Sequence, residues 1–492
     1  MTLKIRRILF VFCAVLFFIA APTIILYTAG FRYSAEAKKI IQTGIIYLTI
    51  KPPEGIKIFA DGKEVKENLI TRGMINKDYI LNNLIPKSYN VKISKEGFWT
   101  WEKNLAVSKG LITYAEPLLL PLNPKNDLLI TDYIGAWSAS PDFTKISYLS
   151  YNGEKVLVVV KNFISGKTQE KPLEQPLDLT EGANILWSPD SQNFAIIFPK
   201  SPRHIIFGLE KNEIMNLTEL TLSEDLVRGA WNEKSDSFVY FSGKSELYAL
   251  KPRGSEAGRK IADNAAGFGL LNNDVYYLNS ANSFIYKTSL DNPESKEQVS
   301  FAPVSANING STWFDFTGSI SLTTSHHKSL TINPELVEWV KGEAEILISR
   351  QGRLAVVTGE KKLFILDESG IPAYLNSGVE TIIFSQNGQD LLYNSDFEIF
   401  AYSLKNSSRQ LITRLSQKVK NVAWCKDYNH IWLRRGNILK NIELDPRSGR
   451  NVYDFLSFTS EPKQIIYDNI SNAVYYDQTD GNKMSIYRVK AE

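Results

Sequence analysis

Residues 186–198 read LWSPDSQNFAIIF, and two other stretches repeat that order of features: AWSASPDFTKISYLS at 136–150 and AWNEKSDSFVYF at 230–241. Each puts an aromatic at the end of one apolar run, then a polar turn, then an alternating apolar run. Ser188-Pro189-Asp190-Ser191 suits a type I turn, because proline presets φ at the second position and Asp can bond its own backbone. Weaker copies follow around Leu271 (LLNNDVYYL), Trp313 (WFDFTGSISL), Ile348 (ISRQGRLAVV), Phe384 (FSQNGQDLLY), Trp424 (WCKDYNHIWL) and Tyr467 (YDNISNAVYY). From Trp137 to Tyr467 the spacings are 50, 44, 40, 42, 35, 36, 40 and 43 residues. With third strands such as SELYAL, KLFILD and EIFAYSL, each unit fits a four-stranded blade. A single sheet of that size cannot bury both faces, so it needs a neighbour on each side, and the recurrent Trp is expected to fill the gap between blades.

These WSPD-type units resemble the repeats of TolB-like β-propellers across residues 124–492. The resemblance implies an all-β propeller, eight blades favoured and seven to nine open since nine copies occur, and a role in binding envelope partners. Ring closure is also legible. Leu128-Leu129-Ile130-Thr131 reads as an outer strand, and the last apolar run, MSIYRV at 484–489, as a third strand. Pairing the two completes the final blade and removes a free edge.

Upstream, residues 44–122 alternate in short strands bounded by Gly, Pro or Asn: IIYLTIK, IKIFADGKEV and SYNVKISKEGFWTWEKNLAV. Asp61-Gly62 supplies the positive-φ pair of a tight hairpin, and a second turn falls near Pro86-Lys87-Ser88. Pro53-Glu54-Gly55-Ile56, the Asp61-Gly62-Lys63 turn, the Tyr89–Ile93 run and Lys95-Glu96-Gly97-Phe98 together resemble the PEGA domain, with three of its four signature letters present. The resemblance implies a small β-sandwich typical of surface and envelope proteins, without catalytic residues. Trp99 and Trp101 are one residue apart and on a strand would share a face. Core packing or an interface with the next domain is the ordinary reading. A carbohydrate-stacking platform is the ligand-binding alternative, and it requires both rings to be exposed.

The N-terminal region carries ILFVFCAVLFFIAAPTIILY at 8–27, twenty residues without a charge, long enough to cross about 30 Å of hydrocarbon. A transmembrane helix is expected over 8–30, kinked at Pro22, with a linker at 31–43. A soluble core helix is rarely apolar on every face, and signal-peptide cores are usually shorter. Lys4, Arg6 and Arg7 make residues 1–7 a cytoplasmic leader under the positive-inside rule, which places the C-terminal domains outside the cell membrane.

Composition narrows the chemistry. The net charge is +3, from 56 Lys and Arg against 53 Asp and Glu, among 492 residues, which gives no general field for nucleic acid. Two cysteines, Cys13 and Cys425, and four histidines exclude a disulfide scaffold and a cysteine zinc cluster. No hydrolase elbow, phosphate loop, zinc helix or dinucleotide fingerprint occurs. His326 and His327 are adjacent and would point apart on a strand, His204 and His430 are isolated, and 477–482 (DQTDGN) suits a hairpin turn better than a calcium loop. Asp225, Asp236 and Glu343 need geometry before any role can be given. Lys251, Arg253, Arg259, Lys260 and the Arg434-Arg435 pair fit solvated loops. No catalytic residue, cofactor or metal ligand is therefore expected, and the chain reads as a single-pass scaffold whose propeller binds an envelope protein or surface polymer. The rival reading is a glycan hydrolase or lyase with opposed carboxylates in the propeller channel.

Overall fold

The computed structural model describes residues 3–491 apart from 299–343, where only 313–314 are described, and shorter segments at 35–38, 66–69, 73–77, 132, 153–154, 174–182, 199–203, 218–225, 233–236, 243–245, 253–257, 272, 283, 351–352, 359, 367–371, 386, 469 and 481–482. An N-terminal helix, Leu3–Thr28, is unburied over its apolar stretch and meets the rest of the protein at its C-terminal end. Its apolar side chains point outward, with Phe10 75% and Phe18 74% exposed. The helix is therefore no part of this chain's own described core. Residues 31–43, expected as a linker, instead contain a hairpin in which Phe31–Ser34 pairs antiparallel with Lys39–Gln42. Strands of four residues show too little alternation to stand out in a sequence.

The next unit is a sandwich of two four-stranded sheets. One orders Ile112–Ala115, Gly44–Leu48, Tyr79–Leu84 and Ile70–Arg72; the other orders Lys63–Glu64, Ile56–Ala60, Ser88–Lys95 and Trp101–Ala106. Their inward residues, among them Ile46, Leu48, Val91, Ile93, Trp101 and Leu105, make one core. The Asp61-Gly62 turn adopts the expected positive φ values of 49° and 76°, the pattern of a two-residue hairpin that follows strand twist.

Eight sheets follow one another among the described residues of 126–490, and they form a β-propeller. Seven lie in order along the chain, each antiparallel from first strand to last except at Trp313–Phe314, which pairs parallel with Ala344–Arg350. The rest of the Trp313 copy, with His326, His327 and Glu343, lies outside the described residues. So do Asp225, Asp236 and Arg253. The eighth sheet closes the ring: Asn126–Ile130 pairs antiparallel with Lys483–Lys490 as its outer strand, as the sequence led one to expect. A second link runs along the same junction, where Tyr133 Oη and Trp137 Nε1 donate to Asp477 Oδ2 at 2.5 and 3.4 Å.

The repeated motif explains the repeated geometry. Trp187 Nε1 donates to Ser138 O (3.4 Å), Trp231 Nε1 to Leu186 O (2.7 Å) and Trp424 Nε1 to Ile383 O (3.0 Å). Every acceptor sits on the first strand of the preceding sheet. The indole thus fills the gap between sheets while its one polar atom finds a partner, which a buried Trp needs. The turn also has one plan. Ser140, Ser188 and Ser385 hydroxyls donate to Asp142, Asp190 and Asn387, and each accepts the N–H five residues on, from Lys145, Asn193 and Asp390. The residue closing each turn is left-handed: Phe143, Ser191 and Gly388 at φ 54°, 57° and 65°.

Trp424 is 3% exposed, so Trp424→Ala should lower the urea unfolding midpoint of the full chain by the equivalent of about 3–5 kcal/mol, with Trp424→Phe losing less. Burial pushes the Asp142 carboxyl up, but hydrogen bonds from Ser140 and Thr144 with the charge of Lys145 outweigh it and bring it down to about 2. A depressed carboxylate stabilises above its unfolded value of 3.8 and loses that contribution as pH falls toward 2. Because Asn387 fills the same turn position neutrally, Asp142→Asn should change stability at pH 7 by no more than about 1 kcal/mol. It should also flatten the acid limb of a pH–stability curve.

Candidate functional site

The strand Trp101–Ala106 alternates buried and exposed, so Lys103 points inward between Trp101 and Leu105. A lysine ammonium on an inner face needs compensation. It reaches the propeller, where the 444–450 connection wraps around it: Nζ donates to Asp445 O (2.8 Å), Arg447 O (3.1 Å) and Gly449 O (2.7 Å). Glu443 Oε2 lies 3.1 Å away, and both side chains are almost wholly buried. The other oxygen of Glu443 accepts Trp101 Nε1 at 3.0 Å, and Asn451 Nδ2 donates to Oε2 at 2.8 Å. Both oxygens of the carboxylate and all three protons of the ammonium therefore have a partner, the condition under which a buried pair is tolerated.

Around this centre the seam continues. Asn104 N donates to Ser448 Oγ (2.9 Å), Arg447 Nη2 to Tyr114 O (2.7 Å), Tyr453 Oη to Thr100 O (3.2 Å) and Asn429 Nδ2 to Glu116 Oε2 (2.7 Å). Burial, reinforced by the Glu443 charge, pushes the Tyr453 phenol far up, so it stays a donor. Burial raises the Asp445 carboxyl, but Arg447 more than offsets it and holds it below the usual carboxylate range. Just beyond, Leu118 and Leu120 enter the propeller core with Trp432, Phe455 and Tyr476, while Leu119 between them enters the sandwich core.

Trp99 and Trp101 therefore do not share an exposed face. The chain turns at Gly97 (φ 78°) and the strand starts only at Trp101, so the two-residue period does not run through both. Trp101 is wholly buried in the sandwich core, whereas Trp99 is half-buried on the propeller core with its ring 5.8 Å from that of Tyr453. A stacking platform for sugars needs both rings free, and the seam occupies them.

The remaining candidates are dispersed. His430 is buried, its Nδ1 2.7 Å from Asp427 Oδ2 beneath the turn that starts at Cys425. Burial pushes the Cys425 thiol up, while hydrogen bonds from His430 and Asn429 outweigh burial at Asp427 and hold it low. His204 is buried, and its Nδ1 accepts the Phe198 N–H at 3.1 Å. Residues 477–480 end the strand Ala473–Asp480, Asp480 pairs with Lys483 at the start of the next strand, and the Asp477 carboxylate accepts Gln464 N; Gly481 and Asn482 lie outside the described residues. Lys251 pairs with Asp291, and Lys260 with Glu246 and Asp263; Arg259 is exposed. Arg434 is buried and donates to Pro462 O, which departs from the solvated-loop expectation. Arg435 ends its strand beside the Gly436 turn. Among the described residues no three His, Cys, Asp or Glu gather as metal ligands.

The network at Lys103 and Glu443 escaped the sequence reading, although one signal was present: a lysine at an inward position between Trp101 and Leu105. Lys103→Met strands Glu443 in the seam and should cost about 3–5 kcal/mol. Calorimetry of the full chain should then show sandwich and propeller unfolding in two separate transitions, where the unaltered chain shows them coupled. Lys103→Met combined with Glu443→Gln should recover part of the loss.

Neither a family model nor a curated protein matches the sequence. Similar solved structures include Saccharomyces cerevisiae Sqt1, at 12% identity over 75% of this chain and 99% of that one with a TM-score of 0.46. Others are the Dos1 propeller, at 11% over 74% and 94% with a TM-score of 0.45, and the C-terminal WD40 domain of Sif2, at 11% over 74% and 98% with a TM-score of 0.44. The propeller assignment rests on the sheet order and the closing strand rather than on these likenesses.

Proposed function

We propose that this chain is a non-catalytic, membrane-anchored scaffold of the cell envelope, with a PEGA-like sandwich and a TolB-like propeller outside the membrane. The observation that carries the reading is where the sandwich docks. Within an antiparallel four-stranded sheet the first and third connections lie at one end, the second connection and the link to the next sheet at the other. The sandwich engages 444–450 and Asn429, the third and first connections of the sheet 421–457. Among the described residues these bonds leave the opposite end of that sheet open. Loops carried by rigid sheets are the usual place for recognition. The face turned away from the seam is accordingly the binding face for an envelope protein or surface polymer, and the helix Leu3–Thr28 is the tether, with its N-terminus in the cytoplasm.

Native thiols leave a clean background for the test, because Cys13 lies within the helix and Cys425 is buried. Phe397, 44% exposed, marks the open face, and Ile164, 80% exposed, the seam end. Phe397→Cys and Ile164→Cys chains, treated in intact cells with a membrane-impermeant photoactivatable maleimide, should both be labelled, and only Phe397→Cys should cross-link to a discrete partner. Labelling only after lysis overturns the outward orientation. Cross-linking from Ile164→Cys alone overturns the choice of face, and glycan turnover by the purified chain overturns the non-catalytic reading.

A further inference from the structure

The helix does not end in a loose tether. Arg32 Nη1 donates to Tyr27 O (2.6 Å), Gln42 Nε2 to Ala29 O (3.1 Å), and both Thr43 N and Thr43 Oγ1 to Gly30 O (2.9 and 2.8 Å). The Tyr27 carbonyl belongs to the last helical turn and those of Ala29 and Gly30 follow it, so these bonds fix the strands Phe31–Ser34 and Lys39–Gln42 against the end of the helix. Thr43 O in turn accepts Gly110 N (3.0 Å), and Gly110 lies so close to Gln42 that a Cβ there would approach Nε2 to 2.8 Å. The start of the edge strand Ile112–Ala115 is therefore locked beside the hairpin.

This corner shows apolar side chains to the outside. Tyr33 and Ile40 are direct cross-strand partners, so they share a face, and they are 69% and 61% exposed. Leu111 and Ile112, at 61% and 45%, stand at the same end of the sandwich. Lys39 and Lys109 are exposed nearby. On the reading that Leu9–Thr28 crosses a bilayer, its 20 residues use up the hydrocarbon thickness of about 30 Å. A rigid hairpin that starts three residues later has no length in which to leave the headgroup layer. Aromatic and aliphatic side chains at that depth, with lysines beside them, match the chemistry of a membrane interface.

From this continuity we infer that the hairpin 31–42 and Leu111–Ile112 form a second membrane contact, seated at the headgroup–acyl boundary of the leaflet from which the helix emerges. The contact sets the angle of the sandwich, and through the seam that of the propeller, to the bilayer. It rests on the anchor reading, and the experiment separates the two. Full-length chain with Cys13→Ser and a single spin label at Tyr33→Cys, Ile40→Cys, Phe17→Cys or Ile164→Cys is reconstituted in phosphatidylcholine vesicles. Accessibility to oxygen is compared with accessibility to a water-soluble nickel chelate. Labels at 33 and 40 should give ratios between the lipid-buried site 17 and the aqueous site 164. Ratios at 33 and 40 equal to that at 164, with 17 still buried, overturn the second contact and leave the anchor standing. An aqueous ratio at 17 overturns the anchor and this contact with it.

Discussion

At four junctions between described sheets an indole reaches across the gap and donates its N–H to the neighbouring sheet, and the propeller depends on these contacts. A four-stranded sheet has two apolar faces and no room for a core of its own, so every face must be covered by a neighbour. Trp187, Trp231 and Trp424 cover it with the largest available side chain and satisfy its one polar atom at the same time. At the junction between first and last sheets the acceptor is the Asp477 carboxylate, which Tyr133 shares. Together with the pairing of Asn126–Ile130 and Lys483–Lys490, these two bonds hold the first strands of the ring to its last.

That repetition made the propeller legible. A period of about 40 residues, a Ser-x-Asp turn and an aromatic before it are local features, and local features survive in a one-dimensional reading. The closing strand Asn126–Ile130 was legible for the same reason, since a run left unpaired at one end of an array must find the other end. The seam was not. Trp101 and Glu443 lie 342 residues apart, and nothing near either names the other. Lys103 was visible only as a charge in an inward register. The pairing of Trp99 with Trp101 misled because the strand starts after Trp99, and the hairpin 31–42 was hidden by its shortness.

Two designs therefore coexist in one chain. The propeller is built from contacts that recur, so a weak copy is supported by those on either side. The seam is built from contacts that occur once: a single lysine encircled by three carbonyls and a carboxylate, with a tryptophan on the same carboxylate. Such a centre leaves one arrangement of the two units satisfied and penalises the others.

The segment Leu118-Leu119-Leu120, whose side chains enter two cores alternately, lies just ahead of the strand that closes the ring. A pull on the sandwich would otherwise arrive at that strand and peel it from the last sheet, opening the whole wheel. The leucines and the lysine clasp come before it in the chain and tie the sandwich to the sheet 421–457. The same joint that orients the propeller acts as its strain relief.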